Sequence, residues 1–120
     1  MSVAETIADA SLDQRVVLLG VVVASADRET PLNPAELRRV CNERLATPEA
    51  PVVGGLSEAD VTRALYALEA EGLVENVAEG NTSPAGKGRP AYELVPDPDE
   101  VRAALADDDA LAPVLADLAD

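Results

Sequence analysis

The apolar run from Val16 to Ala24 constrains the fold of this chain more than any other segment. Its letters, "VVLLGVVVA", include no polar side chain, and only Gly20 interrupts the aliphatic residues. The run is too short to span a bilayer. Upstream, Ser11 followed by Gln14 forms a capping-box pattern. We therefore predict a fully buried central helix, although the β-branched valines leave a strand as the alternative.

Few large side chains are available to pack around that helix. Hydrophobic residues make up 48% of the chain, yet it has no Phe, no Trp and two Tyr. The core must therefore consist of Ala, Val and Leu, which each bury little area. We expect a single domain over 1–120. A second copy of the chain is expected to supply further burial.

The charge is strongly negative. The chain carries 23 acidic residues, a net charge of −14 and a single lysine. Acid excess with few lysines is typical of proteins from extreme halophiles, where molar salt shortens the Debye length to about 3 Å and screens self-repulsion. The alternative is an acidic protein from an organism that lives at ordinary salt.

Several classes of function have few residues to support them. With one cysteine the chain has no internal disulfide, and without histidine it has few ligands for zinc or haem. We expect no metal and no cofactor, and no enzyme, because no polar cluster is suited to acid–base or nucleophilic chemistry. Glu5 and Asp9 stand where a signal peptide would be basic, which favours a soluble cytoplasmic protein.

Helix signals recur along the chain. Asn33 with Glu36 predicts a helix whose inward stripe is Leu37, Val40, Cys41 and Leu45, with Cys41 a core residue. Ser57 with Asp60 starts another helix, which Gly72 ends. Its expected buried residues are Val61, Ala64, Leu65 and Leu68.

Strands and terminal helices complete the prediction. Segments 73–79 and 89–95 are expected to form a hairpin, and residues 30–32 a short strand. An apolar stripe over residues 3–8 indicates a helix, interpreted as a separate arm. Asp97 and Pro98 begin a last helical segment that breaks near Pro113. Its leucine stripe is assigned to dimerisation and comprises Leu105, Leu111, Leu115 and Leu118.

The letters "TRALYALEAEGLVENVAEG" and "GKGRPAYEL" resemble the recognition helix and wing of PadR-like and MarR-like winged-helix regulators, in particular small ones of haloarchaea. The match lies on Leu65, Leu68, Glu69, Gly72, Leu73, Val74, Tyr92 and Leu94. It implies an α+β, mostly helical fold: a winged helix-turn-helix over 11–96, with a two-stranded wing and extra N- and C-terminal helices. Segment 97–120 would be the dimerisation segment. The long loop between the two central helices and the acidic "VPDPDE" depart from the family pattern.

The resemblance implies a transcription regulator that binds double-stranded DNA as a homodimer. Helical spacing predicts that the face opposite the buried stripe holds no acid. From helices and wing, the expected DNA-binding residues are Arg38, Arg39, Ser57, Thr62, Arg63, Tyr66, Lys87 and Arg89. Lys87 and Arg89 belong to a Gly-rich segment expected to be the wing tip.

Two further expectations concern partners. Acids near the DNA would require solvent cations at the interface, because like charges must be screened or bridged there. The alternative function is a winged-helix protein-interaction module that never touches DNA. The overall negative charge favours this alternative, whereas the basic wing tip opposes it.

Overall fold

The structure, a computed structural model, describes residues 3–26, 32–44, 57–77, 91–107 and 111–112. Over these residues the chain is α+β and mostly helical, with five helices and one two-stranded antiparallel sheet. The elements are α1 (Val3–Asp9), α2 (Leu12–Ala26), α3 (Pro34–Arg44), α4 (Glu58–Ala70), β1 (Val74–Asn76), β2 (Tyr92–Leu94) and α5 (Pro98–Ala106).

Helix α2 occupies the centre of the molecule. Every residue from Val16 to Ala24 is buried, and α2 packs against α3, α4, α5 and β2. The prediction of a buried helix in this segment is thus confirmed. Aliphatic side chains dominate the core, and Tyr92 is its one aromatic residue within the described chain.

Three helices begin with the capping boxes that the sequence predicts. At α2, the Ser11 N–H donates to the Gln14 side chain and the Gln14 N–H donates to Ser11 Oγ, both at 3.2 Å. At α3, Asn33 and Glu36 make the same reciprocal pair at 3.0 and 2.8 Å. Helix α4 begins with a third box, at Ser57. Each box satisfies two backbone N–H groups that the helix itself leaves without acceptors.

The sheet follows directly from the end of α4. Gly72 turns the chain with φ of 77°, a conformation that side chains with a Cβ disfavour. Strands β1 and β2 then pair with Val74 opposite Leu94 and Asn76 opposite Tyr92. Both strands lie within the predicted segments 73–79 and 89–95, of which residues 78–79 and 89–90 lie outside the described residues. Leu32, the described residue of the expected short strand, pairs with Tyr92 on the other side of β2, and residues 30–31 lie outside the described residues.

Helix α1 is not a separate arm. It packs against α5, and its Ile7 side chain is only 2% exposed within the common core. The amphipathic stripe of α1 predicts burial but not the surface that covers it.

The assignment of Leu105 and Leu111 to a dimer interface is wrong, because the single chain already buries both side chains. They are 0% and 1% exposed in the single chain. Helices α1 and α2 pack against α5, so its apolar face is already covered without a second copy. Leu115 and Leu118 lie outside the described residues.

No helix within the described residues is long and apolar enough to cross a membrane.

Candidate nucleic-acid interface

Helix α4 is divided into a buried face and an exposed face. Val61, Ala64, Leu65 and Leu68 are buried, and the helix packs against α2 and α3. We name the opposite side the α4 outer face: Ala59, Thr62, Arg63, Tyr66 and Ala70. Four of its members are exposed, and Thr62 is half-buried. Thr62 lies at its border because it is closest in angle to the buried stripe.

The first half of the α4 outer face borders a shallow depression of about 470 Å³. Its described lining is Glu58, Ala59, Thr62, Arg63 and Tyr66. Tyr66 is 59% exposed, although large apolar rings are usually covered. The structure thus brings three predicted DNA-contacting residues, Thr62, Arg63 and Tyr66, to one surface.

Glu58 also lines the depression, beside the acid-free α4 outer face. It precedes Thr62 by four residues, and residues at that spacing are neighbours on a helix. The spacing alone was therefore enough to place Glu58 beside the depression.

Ser57 is a structural cap at the start of this surface. Its Oγ accepts a hydrogen bond from the Asp60 N–H, and the Asp60 carboxylate accepts one from the Ser57 N–H, both at 3.1 Å. Hydrogen bonds from the Ser57 backbone and then from the Ser57 side chain lower the pKa of the Asp60 carboxyl, and nearby Arg63 contributes less to that shift. The Ser57 side chain thus fixes the first turn of α4 through its hydrogen bonds with Asp60, which makes it a helix cap first.

Arg63 lies over the first turn of α4 and remains available to a partner. Its Nη1 is 3.7 Å from Asp60 Oδ1, and its side chain is 79% exposed. Exposed ion pairs of this kind contribute little to stability. A phosphate or a base edge can therefore replace the Asp60 carboxylate at little cost.

Acidic residues border the α4 outer face on both sides. By helical angle, Glu58 and Glu69 lie along one border, and Asp60 and Glu71 along the other. Glu58, Glu69 and Glu71 are exposed, and Asp60 is half-buried. The face itself contains no acid, but any anionic partner would approach between two rows of carboxylates.

The other predicted basic contacts come from α3 and from segment 78–90. Arg38 and Arg39 are exposed on α3, which packs beside α4. Lys87 and Arg89 lie outside the described residues. The paired chains leading towards them are described as far as Val77, whose N–H donates to the Ala91 carbonyl at 2.7 Å.

Tyr92 connects the sheet to the rim of the α4 outer face. Burial raises the pKa of its phenol, and the charges of Glu69 and Tyr66 raise it further. The ring is 1% exposed, as expected for a residue packed beneath a hairpin. Its strand packs against α2, so Tyr92 belongs to the core, whereas Tyr66 is available at the surface.

Cys41 is a core residue, as the sequence predicts. It is 0% exposed, and burial raises the pKa of its thiol to about 12. The group is therefore protonated at neutral pH, whereas reactive cysteines are thiolates. Among the described residues, no three His, Cys, Asp or Glu side chains are grouped to hold a metal ion.

Comparison of the chain with protein-family models, with curated proteins and with solved structures found no match.

Proposed function

We propose that the protein is a winged-helix transcription regulator of the PadR-like or MarR-like type that binds double-stranded DNA through α4. The supporting observation is the α4 outer face, which is exposed, free of acids and centred near Arg63. A major groove accepts a helix of this kind, and small side chains such as Ala59 and Ala70 allow close approach.

The order of elements supports a winged helix. Helices α3 and α4 pack together, and β1 and β2 follow α4 as an antiparallel pair. In such a fold the second helix of the pair enters the major groove and the hairpin extends to its side. Lys87 and Arg89 would then contact the adjacent minor groove or the phosphates.

Each residue of the face has a chemical role in this proposal. Arg63 can donate two hydrogen bonds to a guanine edge, which is worth about 1–3 kcal/mol against a wrong base. Thr62 and Tyr66 offer hydroxyl groups and apolar contact to the same groove. Arg38 and Arg39 contact phosphates, which fix the register but carry no sequence information.

The proposed regulator is not an enzyme and acts in the cytoplasm of a cell with high internal salt. A second candidate is a winged-helix module that binds another protein. The net charge of −14 favours this second candidate, because DNA repels an acidic surface. Direct measurement of DNA binding separates the two.

The experiment is selection of duplexes from a random-sequence library in molar KCl, followed by anisotropy titration of the selected duplex and a scrambled one. Arg63→Ala is expected to reduce the preference for the selected duplex about tenfold or more. The matched control is Arg102→Ala on α5, which removes the same charge from an element that packs against α1 and α2. The control should keep the preference.

Failure to enrich any duplex, together with a soluble folded chain, would favour the protein-interaction module. If a duplex is enriched but Arg63→Ala and Arg102→Ala reduce the preference for it equally, binding depends on net charge alone. That result would contradict the placement of α4 in the groove.

A further inference from the structure

A second cavity lies on a different part of the molecule, where α1, α2 and α5 meet. Its volume is about 210 Å³. Four of its described lining residues are apolar: Ala4, Ile7, Ala8 and Ala104. The other two, Arg15 and Asp107, carry opposite charges. None of these residues belongs to the α4 outer face.

The positive group belongs to the first turns of α2. Arg15 Nε donates a hydrogen bond to the Ala10 carbonyl at 3.0 Å, and the residue is half-buried. This bond fixes the base of the guanidinium plane next to the cavity. A guanidinium carries five N–H groups in a fixed fork, which suits recognition of a carboxylate.

The negative group closes the end of α5. Asp107 is the C-cap residue, and its N–H bonds to the carbonyls of Ala104 and Leu105. The carboxyl end of a helix carries a partial negative charge, which adds to the charge of the Asp107 side chain. This side of the cavity therefore favours a cation.

The size of the cavity restricts the ligand further. Pockets for drug-sized ligands measure roughly 300–1,000 Å³. This cavity, at about 210 Å³, is smaller, so it suits a smaller ligand. The described alanine and isoleucine side chains provide an apolar wall against which a short aliphatic group can pack.

We propose that this cavity binds a small aliphatic α-amino acid, such as alanine or valine. Its carboxylate pairs with Arg15, its ammonium group with Asp107, and its side chain contacts the apolar wall. The proposal extends beyond DNA binding and does not depend on it, because binding is measured on the protein alone.

A neighbouring cavity of about 170 Å³ provides an internal control. It is lined by Thr6, Asp9, Ala10, Gln14, Leu68, Glu71 and Leu73. The charged residues of its described lining, Asp9 and Glu71, are both acidic, so this lining offers no basic side chain to a carboxylate. Asp9→Asn removes a charge of the same sign as Asp107→Asn but from the other cavity.

The test is calorimetric titration of the full chain in molar KCl with L-alanine and L-valine. Propionate and propylamine, which each carry one of the two charges, are titrated as controls. We expect saturable binding of at least one amino acid and binding about tenfold weaker or more for each single-charge compound. Asp107→Asn and the cavity-filling Ala104→Leu should weaken amino-acid binding by a similar factor, whereas Asp9→Asn should not.

Circular dichroism of each variant ensures that only folded proteins are compared. Asp107 is exposed, so its substitution leaves the core intact. Absence of saturable binding of both amino acids to the wild-type chain would overturn the proposal. Propionate binding as tightly as alanine would overturn the role of Asp107, and unchanged affinity in Ala104→Leu would overturn the location.

Discussion

Gly20 on α2 and Leu37 on α3 approach so closely that no side chain fits between them. A Cβ atom placed on Gly20 would lie 2.9 Å from Leu37 Cδ1 and 3.0 Å from Cys41 Sγ. Leu37 and Cys41 are both fully buried, so neither can move into solvent. The absence of a side chain at Gly20 therefore sets the distance between α2 and α3. Helix α4 packs against both of these helices.

Gly20→Ala should destabilise the protein despite the better helix propensity of alanine. Overpacking costs about 1–3 kcal/mol, whereas removal of glycine from a helix gains about 1 kcal/mol. We expect a net loss of free energy of unfolding, measured by denaturant titration in molar KCl. Leu37→Val removes the closest methyl group, so the double variant should lose less than the sum of the single losses. A more stable Gly20→Ala protein would contradict the close packing of α2 and α3.

The capping box of α4 should make stability depend on pH in acid. The pKa of Asp60 lies below its ordinary value of 3.8 in the folded chain, chiefly because of hydrogen bonds with Ser57. A lowered pKa means that this contribution is fully present above the unfolded value and is lost as the pH falls through the folded pKa. Asp60→Asn should therefore show a weaker decrease in the free energy of unfolding below about pH 4. Ser57→Ala should reduce the same pH dependence, and parallel curves for wild type and both variants would exclude the role of the box.

The helix starts could be predicted because caps depend on residues close in sequence. Ser11 with Gln14 and Asn33 with Glu36 form their bonds within one turn, so their spacing is sufficient evidence. The α4 outer face was also predictable, since Val61 and Leu65 define the buried side by helical spacing.

Tertiary partners could not be predicted in the same way. The stripe that contains Leu105 requires burial, but spacing does not tell whether α1 of the same chain or a second copy supplies it. The cavity that Arg15 and Asp107 line is formed by residues far apart in sequence, and no local pattern predicts that they meet. The hairpin itself could be predicted, since β-branched and apolar residues flank the paired residues Val74–Asn76.

The proposed homodimer must form through residues 113–120 and through surfaces other than the buried apolar face of α5. If Leu115 and Leu118 form the interface, Leu115→Asp with Leu118→Asp should convert a dimer to a folded monomer, because it places charge in an apolar contact. Light scattering in molar KCl gives the mass, and circular dichroism gives the fold. Leu105→Asp should unfold the chain instead, since that side chain is fully buried in the protomer. A monomeric wild-type protein would contradict the homodimer.

The last prediction concerns salt, and it follows from the two rows of acids beside the α4 outer face. An ordinary DNA-binding protein releases cations, so the logarithm of its affinity falls with the logarithm of salt concentration by about 0.9 for each neutralised phosphate. In the proposed complex, Glu58 and Glu69 would approach the same phosphates that Arg63 attracts. Cations held between these carboxylates and the DNA would be taken up on binding and would offset that release. We therefore expect a shallow or inverted salt slope.

The measurement is the affinity for the selected duplex, titrated with KCl over the molar range. Glu58→Gln with Glu69→Gln should make the slope more negative, because fewer cations are then taken up while phosphate neutralisation by the basic residues is unchanged. Glu100→Gln on α5, an exposed site on an element that packs against α1 and α2, is the matched control and should leave the slope as in wild type. A steep wild-type slope would contradict cation uptake altogether. A shallow slope that the double variant does not change would place the cations elsewhere, because only carboxylates that face the DNA can hold cations against its phosphates.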